Sequence, residues 1–391
     1  MKRILITLIL LVLAWWGCKQ AYSPQPITTT SNYLVVEGAI NTGADSTIIR
    51  LSRTVLLSSK VSAVPELGAN VTIISEGGAS YPCIETGNGY YKAAGLNVAS
   101  GNFGLKINTT NGKVYQSDMV PTKSSPPIDS VYYHIQNNGI QIYADTHDPA
   151  NNSKYYRWNF YETYEFHSAA NSLTYVAHSP HDTILARPVS DQIFVCWHSD
   201  TSTSVLLNSS AKLTKDIITG NQITFIPSTS EKIESRYSIL VTQYVLTADA
   251  YNYFQQLKKN TEQLGSIFDA QPTQLRGNVH SVSDPAEPVI GYITAGNQAQ
   301  IRIYIDNRTL PAWLPIDPYS SCIVDTALFC AGRGCDNQVA EEIYAGYQIP
   351  LYAIGRPGSP PIGYVAGSPA CIDCTLRGSN TPPAFWQEAT P

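Results

Sequence analysis

The chain has 391 residues, which is enough for more than one hydrophobic core. Charged residues make up only 14% and the formal net charge is −5, which excludes the basic surface of a typical nucleic-acid-binding protein. Hydrophobic residues make up 43%, which excludes a wholly disordered chain, and the 25 tyrosines, 26 glycines and 25 prolines favour an extracellular protein built mainly of β-strands.

The N-terminus has the pattern of a lipoprotein signal peptide. Met1–Arg3 is a short basic segment, and the apolar run over 4–14 is too short to span a membrane. Gly17 precedes Cys18, and a lipoprotein signal peptidase requires a small residue before a cysteine at the end of the apolar run. We therefore predict a signal peptide over 1–17 and lipidation of Cys18. An ordinary secretory signal with an incidental cysteine is the alternative.

A polar tether and a first β-domain follow the predicted cleavage site. Residues 18–31 are rich in threonine and contain proline, which is typical of an extended tether. Residues 32–120 contain about seven short strand-like runs separated by turns, among them an Asn111-Gly112 hairpin turn. This spacing predicts an immunoglobulin-like β-sandwich over 32–120.

A proline-rich segment over 121–127 marks the boundary to a second, larger β-sandwich domain, which we predict over 128–309. Alternating residues over 154–166 predict one long, half-buried strand. One segment departs from the β pattern. Thr247 can cap a helix, and apolar residues then recur at spacings of three and four, so the pattern predicts an inserted helix over 248–264.

The C-terminal segment, 310–391, is rich in cysteine, proline and glycine and has little periodicity. We predict a loop-rich segment held by disulfides, because an exported protein meets an oxidising compartment. Cys83 lies in a strand-like run and is predicted to be a free, buried thiol. The spacing leaves the connectivity of the others open. The disulfide candidates are Cys196, Cys322, Cys330, Cys335, Cys371 and Cys374.

Two other uses of these cysteines have some support in the sequence. Cys371 and Cys374 form a C-x-x-C pair, but a redox pair needs a helix to lower the thiol pKa, and the following Gly and Pro residues prevent a helix of any length. The same pair with Cys330 and Cys335 could supply four thiolates to zinc. Disulfides are favoured over both in an oxidising compartment, so we predict no metal site.

Signals of catalysis are weak. The sequence contains no zinc-protease, nucleophile-elbow, phosphate-loop or EF-hand motif. His178 and His181 stand beside Asp182 in a predicted loop, where such a group is more often solvated surface than a metal site. We therefore predict a non-enzymatic protein with no catalytic residues and no cofactor. A glycosidase built on unrecognised carboxylates is the alternative.

The order of several short segments resembles one protein family. They are Leu34–Gly38, Leu51–Thr54, Pro126–Val131, Tyr155–Trp158, Glu162–Thr163, Cys196–Trp197, Arg236–Gln243, Gly265–Asp269, Val289–Tyr292, Cys371–Cys374 and Phe385–Trp386. Together they resemble the domain-of-unknown-function family DUF4249, outer-membrane lipoproteins of Gram-negative bacteria. The family usually carries a second glycine near Gly378, where this chain has Ser379.

The resemblance implies an outer-membrane protein, on the cell surface rather than the periplasmic face, that contacts the bilayer through lipid on Cys18. Family members are typically encoded beside a TonB-dependent receptor, which implies an accessory or ligand-capturing partner of that receptor. No catalytic residues carry over, because the family has none established. A free-standing surface adhesin or polysaccharide- or protein-binding module is the alternative, supported by sandwich-like strands and abundant tyrosine.

Overall fold

The structure is a computed structural model that describes residues 32–55, 63–262, 275–330, 332 and 334–388. The predicted signal peptide, the lipidation site Cys18 and the tether lie outside these residues. Strands dominate the described chain, which confirms the prediction of a mainly β protein.

The strands are, in chain order, β1 (Leu34–Asn41), β2 (Thr47–Arg53), β3 (Val64–Pro65), β4 (Asn70–Ser75), β5 (Ser80–Gly87), β6 (Tyr90–Ala93), β7 (Asn102–Asn108), β8 (Val114–Ser117), β9 (Val120–Lys123), β10 (Ile128–Gln136), β11 (Gly139–His147), β12 (Tyr155–His167), β13 (Thr174–Ala177), β14 (Thr183–Ala186), β15 (Val195–Thr201), β16 (Leu206–Ser209), β17 (Ile217–Pro227), β18 (Arg236–Val245), β19 (Val279–Ser281), β20 (Ala295–Gly296), β21 (Ala299–Asp306), β22 (Val324–Leu328), β23 (Ile349–Ile354) and β24 (Gly363–Gly367).

The described helices are few. They are α1 (Ala248–Glu262) and α2 (Pro369–Ile372), with 3₁₀ turns at Val189–Asp191, Glu231–Ile233, Asn307–Thr309 and Cys374–Leu376 and a π-helical turn at Val339–Tyr344. Within the described ranges, none of these helices combines the length and apolar character needed to cross a membrane.

The first sheet, which has eleven strands, bends into a partial barrel. Its order is β19-β8-β7-β4-β5-β6-β2-β1-β20-β9, with β3 on β2, and β9 also pairs with β7. Alternate residues such as Ile49, Ile73 and Leu105 point inward and are fully buried. The immunoglobulin-like sandwich predicted for 32–120 is therefore not confirmed.

Two strands of this partial barrel come from the range assigned by sequence to the second domain. The register places Ala295 of β20 beside Ile40 on one side and beside Thr122 on the other, and both pairings are parallel. Gly296 is required here, because a Cβ at this position would lie 2.1 Å from the carbonyl oxygen of Lys123. Local alternation predicts where strands form, but it cannot predict that this short strand pairs with residues far away in the chain.

Two further sheets form a β-sandwich, as predicted. A three-stranded sheet, β10-β11-β17, faces a five-stranded sheet in which β15, β12, β18 and β21 pair in that order and β16 also pairs with β12. Ile140 and Ile142 from the first sheet pack in one core with Trp158, Tyr237 and Val241 from the second. This core excludes water from both inner faces, so the opposite face of the five-stranded sheet is free to meet other parts of the molecule.

The inserted helix α1 packs against that opposite face. The Thr247 hydroxyl accepts a hydrogen bond from the Ala250 backbone N–H (3.2 Å), which confirms the predicted cap. Tyr253 and Phe254 are buried against neighbours that include Tyr244. The helix is confirmed to residue 262, and the last two residues of the predicted helix, 263–264, lie outside the described residues.

The C-terminal segment is more regular than predicted. An antiparallel sheet, β22-β24-β23, replaces part of the expected loops, and the β13–β14 hairpin packs on it through Val176 and Ile184. Proline and glycine interrupt these short strands, as Pro350 does in β23 and Gly363 does in β24, and this obscures their alternation in the sequence.

All six candidate cysteines form disulfides. The pairs are Cys196–Cys374 (Cα–Cα 5.8 Å), Cys322–Cys371 (5.7 Å) and Cys330–Cys335 (5.8 Å). The two cysteines of the C-x-x-C pair therefore bind different partners, which argues against both the redox pair and the four-thiolate zinc site. Cys83 is free and buried, and burial raises its pKa to about 11.

Candidate ligand-binding cleft

Strand β12 has one face in the sandwich core and the other face outside it. Tyr156 and Trp158 are fully buried in that core. Because successive side chains of a strand point to opposite faces, Arg157 and Asn159 project from the outer face of the five-stranded sheet.

Neighbouring strands extend this polar outer face. The register places Arg157 beside Tyr244 and Asn159 beside Thr242 on β18. Thr242 in turn lies beside Gln300 on β21. A row of hydrogen-bonding side chains therefore crosses three adjacent strands of the sheet.

This outer face forms one wall of a cleft, and strands β1 and β2 of the partial barrel form the other. The cleft encloses a cavity of about 450 Å³, which is within the usual size range of small-molecule sites. Its lining includes one cation, Arg157, and three aromatic residues, Phe160, Tyr161 and Tyr244. The hydroxyl and amide side chains of the lining are Asn41, Ser46, Asn159, Thr201, Ser202, Thr242, Thr294, Gln298 and Gln300.

Arg157 is the unusual residue of this lining. Its Nε is fully buried and has no hydrogen-bond partner, and within the described chain its guanidinium takes part in no hydrogen bond or ion pair. The guanidinium carbon lies 4.2 Å from the centre of the Phe254 ring, so the cation stacks on an aromatic face. Burial lowers the pKa of Arg157, because water is excluded from the charged group.

Other charged groups near Arg157 do not neutralise it. The charge of Glu37 acts on Arg157 from a distance, but the Glu37 carboxylate accepts a hydrogen bond from Arg50 (3.4 Å). On the same sheet face, Arg302 donates to the Ser238 hydroxyl (3.0 Å) and stacks on Phe385 (3.6 Å to the ring centre). Arg302 thus has the partners that Arg157 lacks.

Tyr244 lies beside Arg157 and supplies a phenol to the cleft. Burial raises its pKa, so the hydroxyl stays protonated at physiological pH and remains a hydrogen-bond donor.

A second polar cluster lies inside the sandwich and has its bonds satisfied. The buried carboxylate of Glu162 accepts hydrogen bonds from Lys232 Nζ (2.5 Å) and the Tyr237 hydroxyl (2.6 Å). Lys232 also lies 3.5 Å from Asp200. This cluster ties β12 to the turn before β18 and does not line the cleft.

The histidine group weighed from the sequence is a surface pair. His178 Nδ1 lies 2.8 Å from Asp182, and both side chains are largely exposed. The described residues contain no group of three or more histidine, cysteine, aspartate or glutamate side chains placed to hold a metal ion. No local pattern in the sequence predicts the cleft. Alternation around Tyr155–Trp158 could have placed Arg157 outside the core, but only the fold reveals that it lacks a partner.

A comparison with curated proteins finds no match for the chain. The sequence profile of the family described as "Domain of unknown function (DUF4249)" matches residues 20–302. The match covers most of the chain and includes both walls of the cleft, with Arg157 among them. The chain therefore belongs to the DUF4249 family.

Proposed function

We propose that this protein is a ligand-capturing lipoprotein of the outer membrane that holds a small polar molecule in the cleft between the partial barrel and the sandwich. The observation that carries the proposal is the lining of the cleft. A cavity of about 450 Å³ combines aromatic walls, converging amides and hydroxyls, and one unpaired cation. Such a combination is typical of small-molecule sites.

The lining favours binding over catalysis. Its described residues include no carboxylate, histidine or cysteine, which are the usual acids, bases and nucleophiles of enzymes. The hydroxyl and amide groups that are present orient a ligand through hydrogen bonds without activating a nucleophile. We therefore propose that the role of the protein is non-enzymatic.

We further propose that lipid on Cys18 anchors the protein at the cell surface and that its partner is a TonB-dependent receptor. The signal-peptide pattern and the family resemblance support this assignment. The C-terminal sheet adds a structural argument, because Val324, Leu328 and Tyr352 share one of its faces and are all exposed. Exposed apolar side chains on a covalently braced sheet are suited to a protein interface.

The receptor is tested by an affinity pull-down of the tagged, full-length protein from detergent-solubilised outer membrane, analysed by mass spectrometry. We expect a TonB-dependent receptor at near one-to-one stoichiometry. Recovery of the lipidated, membrane-bound protein without a receptor would contradict this partner and favour a free-standing adhesin or polymer-binding module.

A matched pair of variants locates the contact. Leu328→Lys with Tyr352→Lys places two charges on the exposed face and is expected to abolish receptor recovery. Ile84→Lys changes a more exposed apolar residue of the partial barrel and is expected to leave recovery unchanged. Equal recovery with both variants, at unchanged melting temperature, would exclude the C-terminal face as the contact.

A further inference from the structure

We propose that the cleft selects a small organic carboxylate and that Arg157 holds its two oxygens through paired hydrogen bonds. The proposal rests on the proposed function, because it names the ligand class of the same cleft.

The cost of burying Arg157 is the first argument. Buried charges in proteins are almost always paired, because removing a charge from water is unfavourable unless an opposite charge or hydrogen bonds replace the water. The ring of Phe254 partly compensates the charge but accepts no conventional hydrogen bond from the guanidinium. The Nη N–H groups of Arg157, which unlike Nε are not fully buried, thus remain available to an acceptor that enters the cleft.

Geometry and charge narrow the class of acceptor. A guanidinium is a planar fork whose parallel N–H groups match the two oxygens of a carboxylate. Arg157 is the only cation among the described lining residues, so the site compensates one negative charge and is poorly suited to a phosphate, which carries about two near neutral pH. The neutral remainder of the ligand would meet amides and hydroxyls such as Asn159, Thr242 and Gln300.

An experiment without ligand tests whether the buried guanidinium of Arg157 stabilises the fold. Arg157→Met keeps an unbranched apolar side chain on Phe254 and removes the buried cation, so we expect the melting temperature of the unliganded protein to rise. Arg302→Met is the matched control on the same sheet face. It loses the Ser238 hydrogen bond and the cationic stack on Phe385, so its melting temperature is expected to fall. A fall with Arg157→Met would identify Arg157 as a structural residue and overturn the proposal.

The ligand class is tested with matched probes on the full mature chain in detergent. Galacturonate is compared with its methyl ester, N-acetylglycine with its amide, and sodium acetate with sodium chloride at equal ionic strength, by calorimetry and thermal shift. We expect galacturonate or N-acetylglycine to bind at least about tenfold more tightly than its neutral counterpart, and acetate to bind more tightly than chloride. Which of the two organic acids binds more tightly shows whether the cleft prefers a sugar acid or a peptide C-terminus. Arg157→Met should abolish the preference and Arg157→Lys should retain part of it, because lysine keeps the charge without the fork.

The outcomes separate this proposal from the proposed function. Equal responses of the wild-type protein and Arg157→Met to every carboxylate, including no response in either, overturn the carboxylate proposal. If the neutral compounds bind in that case and filling the cavity with Asn159→Trp abolishes their binding, capture in the cleft still stands. Binding that survives Asn159→Trp would contradict the cleft itself.

Discussion

Asp306, at the end of β21, is the residue whose charge depends most clearly on its partners. It accepts hydrogen bonds from Arg308 Nε (3.0 Å) and Nη2 (3.0 Å) and from Arg236 Nη1 (3.2 Å). The hydrogen bonds from Arg308, with a smaller contribution from the charge of Arg236, lower the pKa of Asp306 from 3.8 to about 2. The folded state therefore favours the ionised carboxylate.

We predict a pH-dependent contribution of Asp306 to stability. Because its pKa is lower in the folded state than in the unfolded state, the stabilisation is complete above about pH 4 and is lost as the pH falls towards about 2. Asp306→Asn should cost about 1–2 kcal/mol at neutral pH and flatten this part of the pH profile. Urea unfolding across the range is the measurement. Asp325→Asn is the control, because this exposed side chain accepts a hydrogen bond from the backbone N–H of Thr326 (2.7 Å), which an amide oxygen can also accept. It should change neither the stability at neutral pH nor the shape of the pH profile. Parallel profiles for wild type and Asp306→Asn would contradict the prediction.

At the scale of elements, the disulfides differ in the length of chain that they close and in their burial. Cys196–Cys374 joins β15 of the sandwich to the turn after α2, spans 178 positions and is fully buried. Cys330–Cys335 closes a loop of 5 positions at the surface. A long closed loop removes more chain entropy from the unfolded state than a short one.

We therefore expect unequal effects of removing these bonds. Replacing both Cys196 and Cys374 by alanine should reduce the free energy of unfolding by about 3–5 kcal/mol, whereas the same change at Cys330 and Cys335 should cost about 2 kcal/mol or less. Thermal and denaturant unfolding of the two double variants gives the comparison, and reductant should lower the melting temperature of the wild-type protein. A larger loss with the surface pair would refute the loop-length explanation.

At the scale of the whole molecule, the partial barrel depends on residues far from its own sequence range. The backbone N–H of Val36 donates to the carbonyl of Ile290 (2.8 Å), and that of Ile290 donates to Leu34 (2.9 Å). Strands β19 and β20 come from the same distant part of the chain. The linker is fixed as well, because the Ser125 N–H donates to the Asn297 side chain (2.6 Å) and Gln243 donates to the carbonyl of Pro126 (3.0 Å).

A truncated chain of residues 32–127 should therefore not fold by itself. It lacks β20, which pairs with β1 and β9, and β19, which pairs with β8, so it would expose apolar core and open strand edges to water. We expect neither a cooperative thermal transition nor dispersed amide signals in NMR spectra, whereas residues 32–388 should give both. A cooperative melt of the truncated chain would contradict this dependence and restore 32–120 as an independent domain.

The sequence by itself determined the features that depend on neighbouring residues. Alternation indicated the long strand β12, and the Thr247 cap with its apolar spacing indicated helix α1, because strand and helix periods repeat within a few residues. Residue chemistry identified the six cysteines that pair and separated them from buried Cys83. The same alternation puts Arg157 and Trp158 on opposite faces of this strand, without showing which face is buried.

Only the tertiary structure decided how these elements meet. Neither the choice of disulfide partners nor the pairing of β20 with β1 and β9 is encoded in a local pattern, because each depends on segments brought together from distant parts of the chain. The cleft has the same origin, since one wall comes from β1 and β2 and the other from β12, β18 and β21. Whether a side chain lacks a partner depends on every residue that folds around it. The missing partner of Arg157 is therefore apparent only in the tertiary structure.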